Sequence, residues 1–234
     1  MNIKYFSRTE IAIWSVSVVL IVLSYLLFKS GEILTLIASL IGVTSLILNA
    51  KGNPLGQVLV IIFSLLYGII SFTFAYYGEM ITYLCMTAPM AVIALISWLR
   101  HPYNGNRSEV EICCVKRREY PIIILLTIAV TVAFYFILAA LDTANLLPST
   151  ISVTTSFLAV LLTYKRSPAF ALAYAANDIV LIVLWSIASF SDTSYISVVV
   201  CFLCFLLNDI YGYINWRCIQ RRQRAGDNAA KVAA

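Results

Sequence analysis

Charge is scarce in this chain, and the scarcity excludes most soluble folds. Charged residues are 12% of its 234 positions and hydrophobic residues 62%, whereas soluble domains carry about 25% charged residues. Histidine is nearly absent as well. With one imidazole, His101, there is no Ser-His-Asp set and no histidine-based metal site. No glycine-rich phosphate loop occurs and no carboxylate cluster is spaced to hold a metal, so neither catalysis nor a cofactor is expected. The net charge of +5 comes from basic residues that flank apolar runs instead of mixing with exposed aromatics, which argues against a nucleic-acid partner. The six cysteines form no disulfide framework. Cys201 and Cys204 have CxxC spacing but no second pair or nearby histidine, so they read as small apolar residues packed between helices.

What the chain has in abundance is long apolar runs. They extend over Ile11 to Phe28, Ile33 to Ala50, Leu55 to Tyr76, Met80 to Leu99, Tyr120 to Leu141, Leu146 to Tyr164, Ala169 to Phe190 and Ser194 to Trp216. About twenty residues suffice to cross a hydrocarbon core of roughly 30 Å as a helix. Lipid offers no hydrogen bonds, so runs this uniformly apolar must be helical. The sequence therefore predicts an all-α protein with eight transmembrane helices in a lipid bilayer. The first run lacks a small-x-small cleavage site in the following LLFKSGE and reads as a retained span.

The connecting segments alternate in charge. Of the sixteen Lys and Arg, all except Lys29 fall in every second segment: Lys4 and Arg8, then Lys51, then Arg100 to Arg118, then Lys165 and Arg166, then the tail from Arg217. Lys29, Glu32, Glu79, Asp142 and Asp192 lie on the other side. The positive-inside rule then predicts that both termini are cytoplasmic, in the cell membrane. The loop Arg100 to Glu119 reads as a topology signal. Trp14, Trp98 and Trp216 sit at helix ends on the basic side and read as interfacial belt anchors.

Short matches suggest a duplication. LNAKGNP (Leu48 to Pro54) resembles LTYKRSP (Leu162 to Pro168), and ISW at Ile96 resembles INW at Ile214. The predicted organisation is an accessory helix in residues 1–32, a three-helix unit in 33–99, a loop and linker helix in 100–145, a second three-helix unit in 146–216 and a basic tail in 217–234. One linking span gives both units the same sense in the bilayer, a parallel repeat of the kind transporters use to enclose a substrate.

Ionisable residues at mid-membrane cost at least roughly 2.5 to 3.5 kcal/mol to insert, so they mark function. Asp178 and Asp209 are such positions, each preceded by an asparagine, Asn177 and Asn208. Helical spacing aligns Asn208 with Tyr211, Gly212 and Asn215, and Asn177 or Asp178 with Trp185. Amides with a flat indole suit a heteroaromatic ring bearing an amide or sugar hydroxyls. In the first unit Gln57, Ser64, Tyr67 and Tyr83 are the polar candidates. All of these also fit a plainer reading, in which polar groups bond neighbouring helices.

The segments KGNPLGQ, YYGEMITY with Pro89 following, ISWLRH, NDIVLIVLW and INW together resemble the PnuC family of vitamin transporters over about Ile33 to Trp216. The loop RSEVEICCVKRREY is similar to the short cytoplasmic segment of that family. The resemblance implies a three-plus-one-plus-three helix fold like the SWEET facilitators, a homotrimer, and uptake of nicotinamide riboside by facilitated diffusion with trapping by a cytoplasmic kinase. Members for thiamine, riboflavin and deoxynucleosides exist too. Nicotinamide riboside members tend to carry a WxxWxxxN pattern on the seventh helix; here Phe170 and Ala173 precede Asn177 in its place.

The expected substrate contacts are stacking by Trp185 and Tyr174, hydrogen bonds from Asn177, Asn208 and Gln57, and a hydroxyl from Tyr67. Asp178 is a further substrate-site residue and the candidate for proton coupling. Another flat nucleoside or vitamin is the alternative substrate, and a non-transporting receptor or assembly subunit is the alternative of another class.

Overall fold

The computed structural model describes residues 5–28, 33–73, 77–143 and 145–233. Lys4, Lys29 and Glu32 of the charge pattern lie outside them. Among the described residues, eight segments are long and apolar enough to cross a membrane. They comprise α1 (Arg8–Phe28), α2 (Ile33–Ala50), α3 (Leu55–Thr73), the broken span α4 (Tyr77–Ile81) with α5 (Ala88–Arg100), α6 (Tyr120–Ala140), α7 (Leu146–Tyr164), α8 (Ala169–Ser189) and α9 (Ile196–Ala233).

Six of these spans close into a ring. In order around it, α2 packs on α3, α3 on α5, α5 on α7, α7 on α8, α8 on α9, and α9 returns to α2. The remaining two lie outside: α1 against α9 and α2, and α6 against α7. Their outer faces explain that placement. Leu26 and Leu27 on α1 and Ile122, Leu125 and Phe136 on α6 are all more than 59% exposed, which only a lipid solvent makes favourable. At the start of α1, Ser7 and Glu10 form a reciprocal cap, the Ser7 N–H donating to Glu10 Oε2 at 2.7 Å and the Glu10 N–H to Ser7 Oγ at 3.2 Å.

The fourth span departs from the predicted continuous helix. Residues Thr82–Thr87 form a π-helical turn between α4 and α5. Pro89 is the cause: its ring lacks an N–H and crowds the carbonyl four residues back, so the turn before it widens.

At the end that carries the basic residues, two connections have the same geometry. In the α2–α3 turn the Gly52 N–H bonds Asn49 O and the Asn53 N–H bonds Leu48 O; in the α7–α8 turn Arg166 bonds Thr163 O and Ser167 bonds Leu162 O. Gly52 and Arg166 both hold positive φ, 68° and 56°.

The loop after α5 is more than a charge signal. It forms a hairpin, β1 (Pro102–Tyr103) with β2 (Asn106–Val110), turned by Asn104 and Gly105, both at positive φ, as a two-residue Asn-Gly turn requires. Val110 is fully buried and its N–H bonds Gly52 O at 2.9 Å, while the Cys113 N–H bonds Arg166 O at 3.0 Å. The segment thus ties the two turns together. Nor does α9 stop at Trp216: it runs on for four more turns, and Gln223 on it bonds Ile112 N, Val110 O and Glu109 Oε1. Trp98 and Trp216 are likewise not belt anchors, since both are 0% exposed; Trp14, at 37%, lies at the surface and donates to Thr44 Oγ1.

Candidate functional site

A cavity lies inside the helix ring, and all six ring spans contribute to it. Gly42, Ser45 and Asn49 come from α2, Phe63 from α3, Tyr83 and Thr87 from the π-helical turn, Ser156 from α7, Phe170, Tyr174, Asn177 and Asp178 from α8, and Phe202, Phe205 and Asp209 from α9. Six aromatic rings stand in its wall. Phe63 meets Tyr83 edge-on at 5.9 Å and Phe205 at 5.8 Å, and Phe170 stands edge-on to Tyr174 at 6.2 Å. The widened turn before Pro89 is what places Tyr83 and Thr87 on this wall.

Asn177 is held in a defined orientation. Its Oδ1 accepts from Ser152 Oγ at 2.9 Å and from Thr155 Oγ1 at 3.0 Å. With the oxygen occupied, the side chain has its two N–H donors to offer. Phe170, seven residues earlier on α8, lies two turns away on the same face.

The cavity continues toward the acidic end of the protein. A narrow waist lined by Glu79, Tyr83, Ser152, Ser156 and Leu181 shares Tyr83 and Ser156 with the central cavity. A vestibule lined by Gly78, Glu79, Thr143, Ser149, Asp192 and Tyr195 adjoins it through Gly78, Glu79 and Ser149. The vestibule holds about 350 Å³, the waist about 20 Å³ and the central cavity about 70 Å³. Pockets that hold small organic ligands span about 300–1,000 Å³, so an occupant of the centre must displace aromatic side chains. Asp192 at the rim accepts the Ser194 N–H at 2.8 Å, and this bond holds its carboxyl below the usual range, hence ionised at neutral pH. The opposite end is sealed. Gln57 Nε2 donates to Asn49 Oδ1 at 2.9 Å beneath the cavity floor, and below that lie Trp98, Trp216 and the hairpin segment.

Of the residues singled out in the sequence, Tyr83, Tyr174, Asn177, Asp178 and Asp209 line the cavity. The others are elsewhere. Asn208 faces α1, its Nδ2 donating to Ser17 Oγ at 3.0 Å. The rest of its stripe does the same kind of work: Tyr211 donates to Glu10 Oε1, and Asn215 to Ala50 O. Gln57 braces Asn49 from behind. Tyr67 packs behind the wall, 4.6 Å from the Tyr83 ring. Trp185 is buried in the core against Tyr195, with ring centroids 5.2 Å apart. A rotation of about 100° per residue separates Asn208 from its neighbour, and it is Asp209 that points inward. Phe63, Phe202, Phe205 and Asn49 were not singled out in the sequence, because apolar rings in an apolar helix carry no signal of which face is inner.

The chain matches known proteins over most of its length. The profile of the family described as nicotinamide mononucleotide transporter matches residues 32–218. A nicotinamide riboside transporter PnuC from Neisseria mucosa is 26% identical over 216 residues, covering 90% of this chain and 82% of that protein. The crystal structure of the vitamin B3 transporter PnuC superposes with a TM-score of 0.80 at 22% identity, over 93% of this chain and 94% of the other. That structural likeness establishes the fold, an all-α membrane protein with eight spanning helices.

Proposed function

The chain belongs to the nicotinamide mononucleotide transporter family, and we propose that it takes up nicotinamide riboside by facilitated diffusion. Its relatives are named as transporters, so it is a multi-pass carrier and not an enzyme. The observation that carries the substrate is Asn177 with its oxygen pinned and its donors left for a ligand, on the same helix face as the Phe170 ring. Amide N–H donors suit the carboxamide oxygen or a ribose hydroxyl, and the rings of Phe170 and Tyr174 suit a flat heterocycle. Phe170 and Ala173 stand where the family resemblance has two tryptophans. A single ring from Phe170, with Tyr174 one residue on, replaces that stack.

The same turns at Gly52 and Arg166, and the reciprocal bonds of Trp98 and Trp216, support two three-helix copies, 33–99 and 146–216, with α6 as the linker and α1 accessory. Substrate enters from the acidic vestibule, and rocking of one copy against the other opens the basic end. The distribution of Lys and Arg supports cytoplasmic termini. Family resemblance adds a homotrimer and kinase trapping of the product.

Calorimetric titration of the purified protein with nicotinamide riboside, thiamine, riboflavin and deoxynucleosides tests the substrate. Saturable binding of the first alone is expected, weakened at least about tenfold in Asn177→Ala; preference for another member of the panel would replace the substrate. Proteoliposome uptake that is unchanged by an imposed pH gradient is expected for a facilitator, and acceleration by an inward proton gradient would replace that mechanism with symport.

A further inference from the structure

The path from vestibule to central cavity has one sign of charge. Every acidic or basic side chain that lines it, tyrosine hydroxyls aside, is a carboxyl: Asp192 and Glu79 in the vestibule, Glu79 again at the waist, and Asp178 with Asp209 in the centre. Among the described residues no Lys, Arg or His lines any of the three. The nearest titratable groups around Asp178 are the hydroxyls of Tyr83 and Tyr174 and the thiol of Cys201. None of these supplies a positive charge.

Asp178 and Asp209 come from adjacent helices, both are buried and both line the central cavity. Asp178 is 4% exposed, and its Oδ2 is buried with no hydrogen-bond partner among the described residues. A buried negative charge with no counter-ion is costly in any protein interior, and more so at membrane depth. Around it stand the rings of Phe63, Tyr83, Phe170 and Tyr174, whose faces attract cations through the ring quadrupole.

We propose that the Asp178–Asp209 pair is the counter-ion for a flat aromatic ring bearing one fixed positive charge, and that it selects the charged ring over a neutral ring of the same shape. The inference rests on the nucleoside reading of this cavity and deepens it. Nicotinamide riboside is a pyridinium and carries such a charge; its dihydro form keeps the carboxamide and the ribose but is neutral. No basic residue competes with the ring's charge for the two carboxyls, and Asp192, ionised at neutral pH, attracts cations at the mouth.

The test is calorimetric titration of the full-length protein at pH 8 with nicotinamide riboside and with dihydronicotinamide riboside, first on the parent protein and then on Asp178→Asn and Asp209→Asn. The parent is expected to prefer the cation by at least about tenfold, the loss that follows when one partner of a desolvated charge pair is removed. Asp178→Asn is expected to abolish that preference, read as the ratio of the two affinities within the variant, and Asp209→Asn to reduce it. Equal affinity of the parent for both forms, a comparison that needs no variant, would overturn the counter-ion role and leave the nucleoside reading standing. So would a preference that survives in both variants. Binding of neither form by the parent would overturn the nucleoside reading and this inference with it.

Discussion

The indole rings of Trp98 and Trp216 pack against each other with centroids 5.4 Å apart and planes inclined by 46°. Each then reaches across the ring of helices: Trp98 Nε1 donates to Thr163 O at the end of α7 at 2.9 Å, and Trp216 Nε1 to Asn49 O at the end of α2 at 2.7 Å. Both side chains are completely buried. Phe170 completes the cluster, edge-on to Trp216 at 4.7 Å, so the cavity wall rests directly on the seal of the basic end. A ligand that displaces Phe170 therefore presses on the contact that must part for release.

Trp98→Phe and Trp216→Phe each keep a ring and lose the donor, leaving a buried carbonyl with one bond fewer. Each is expected to lower stability by about 1–3 kcal/mol, read as a fall in the midpoint of thermal unfolding in detergent. Because the rings touch, the double variant is expected to lose less than the sum. Strict additivity would show that the contact carries no coupling.

The eight spans were legible because hydrophobic length is a one-dimensional signal. The deviations have local causes. Pro89 was visible, yet a proline inside an apolar run does not say whether the helix kinks or widens. The path of α9 beyond Trp216 was hidden because a polar helix that packs on a hairpin looks like a solvated tail; Gln223 and Glu109 reveal their roles only as partners. Asn177 and Asp178, singled out because burying them in lipid is expensive, line the cavity; Asn208, singled out by the same argument, has its cost met by Ser17 on α1. The helix outside the ring has a polar stripe to satisfy it, and sequence spacing cannot distinguish such a stripe from a substrate face. Trp98 and Trp216 were misread for a related reason: a tryptophan at a helix end anchors in headgroups only if no second tryptophan is there to receive it.

Pro89→Ala supplies the missing N–H and removes the ring from the preceding turn, which allows a regular α-helix through Thr82–Thr87. Helix energetics favour the alanine by up to about 3 kcal/mol, so thermal stability is expected to hold or rise. Tyr83 and Thr87 would rotate off the cavity wall, and uptake into proteoliposomes is expected to fall several-fold. Unchanged uptake together with higher stability would show that the π-helical turn has no part in transport.

Glu10 joins α1 to the ring through two partners, Lys51 Nζ at 3.2 Å and the Tyr211 hydroxyl at 3.1 Å, and caps its own helix by accepting the Ser7 N–H at 2.7 Å. Removing one member of a buried pair costs about 3–5 kcal/mol; Lys51 keeps 21% exposure and so still reaches water, which puts Glu10→Ala toward the lower end. Glu10→Gln retains an acceptor and is expected to lose less. Thermal unfolding of the two variants checks the order, and equal losses would show that the charge contributes nothing beyond the hydrogen bonds.

Two glycines on the ring separate packing from function. A Cβ at Gly42 would collide with the tip of the Phe205 ring and lie 3.2 Å from Phe63, and all three residues line the cavity. A Cβ at Gly212 would meet Ala50 Cβ at 3.7 Å and Ala171 Cβ at 3.9 Å, ordinary contacts at a helix crossing. Alanine gains about 1 kcal/mol over glycine inside a helix, and Gly212→Ala is expected to realise most of it, with ligand affinity unchanged. In Gly42→Ala the same gain is offset by overpacking of about 1–3 kcal/mol, which Phe205 relieves only by swinging into the central cavity. Stability is then expected to move little while affinity for the substrate falls at least several-fold, as read by titration beside thermal unfolding. Loss of affinity in Gly212→Ala but not in Gly42→Ala would place the substrate outside the helix ring, against the α2–α9 crossing instead of between Phe205 and Phe170.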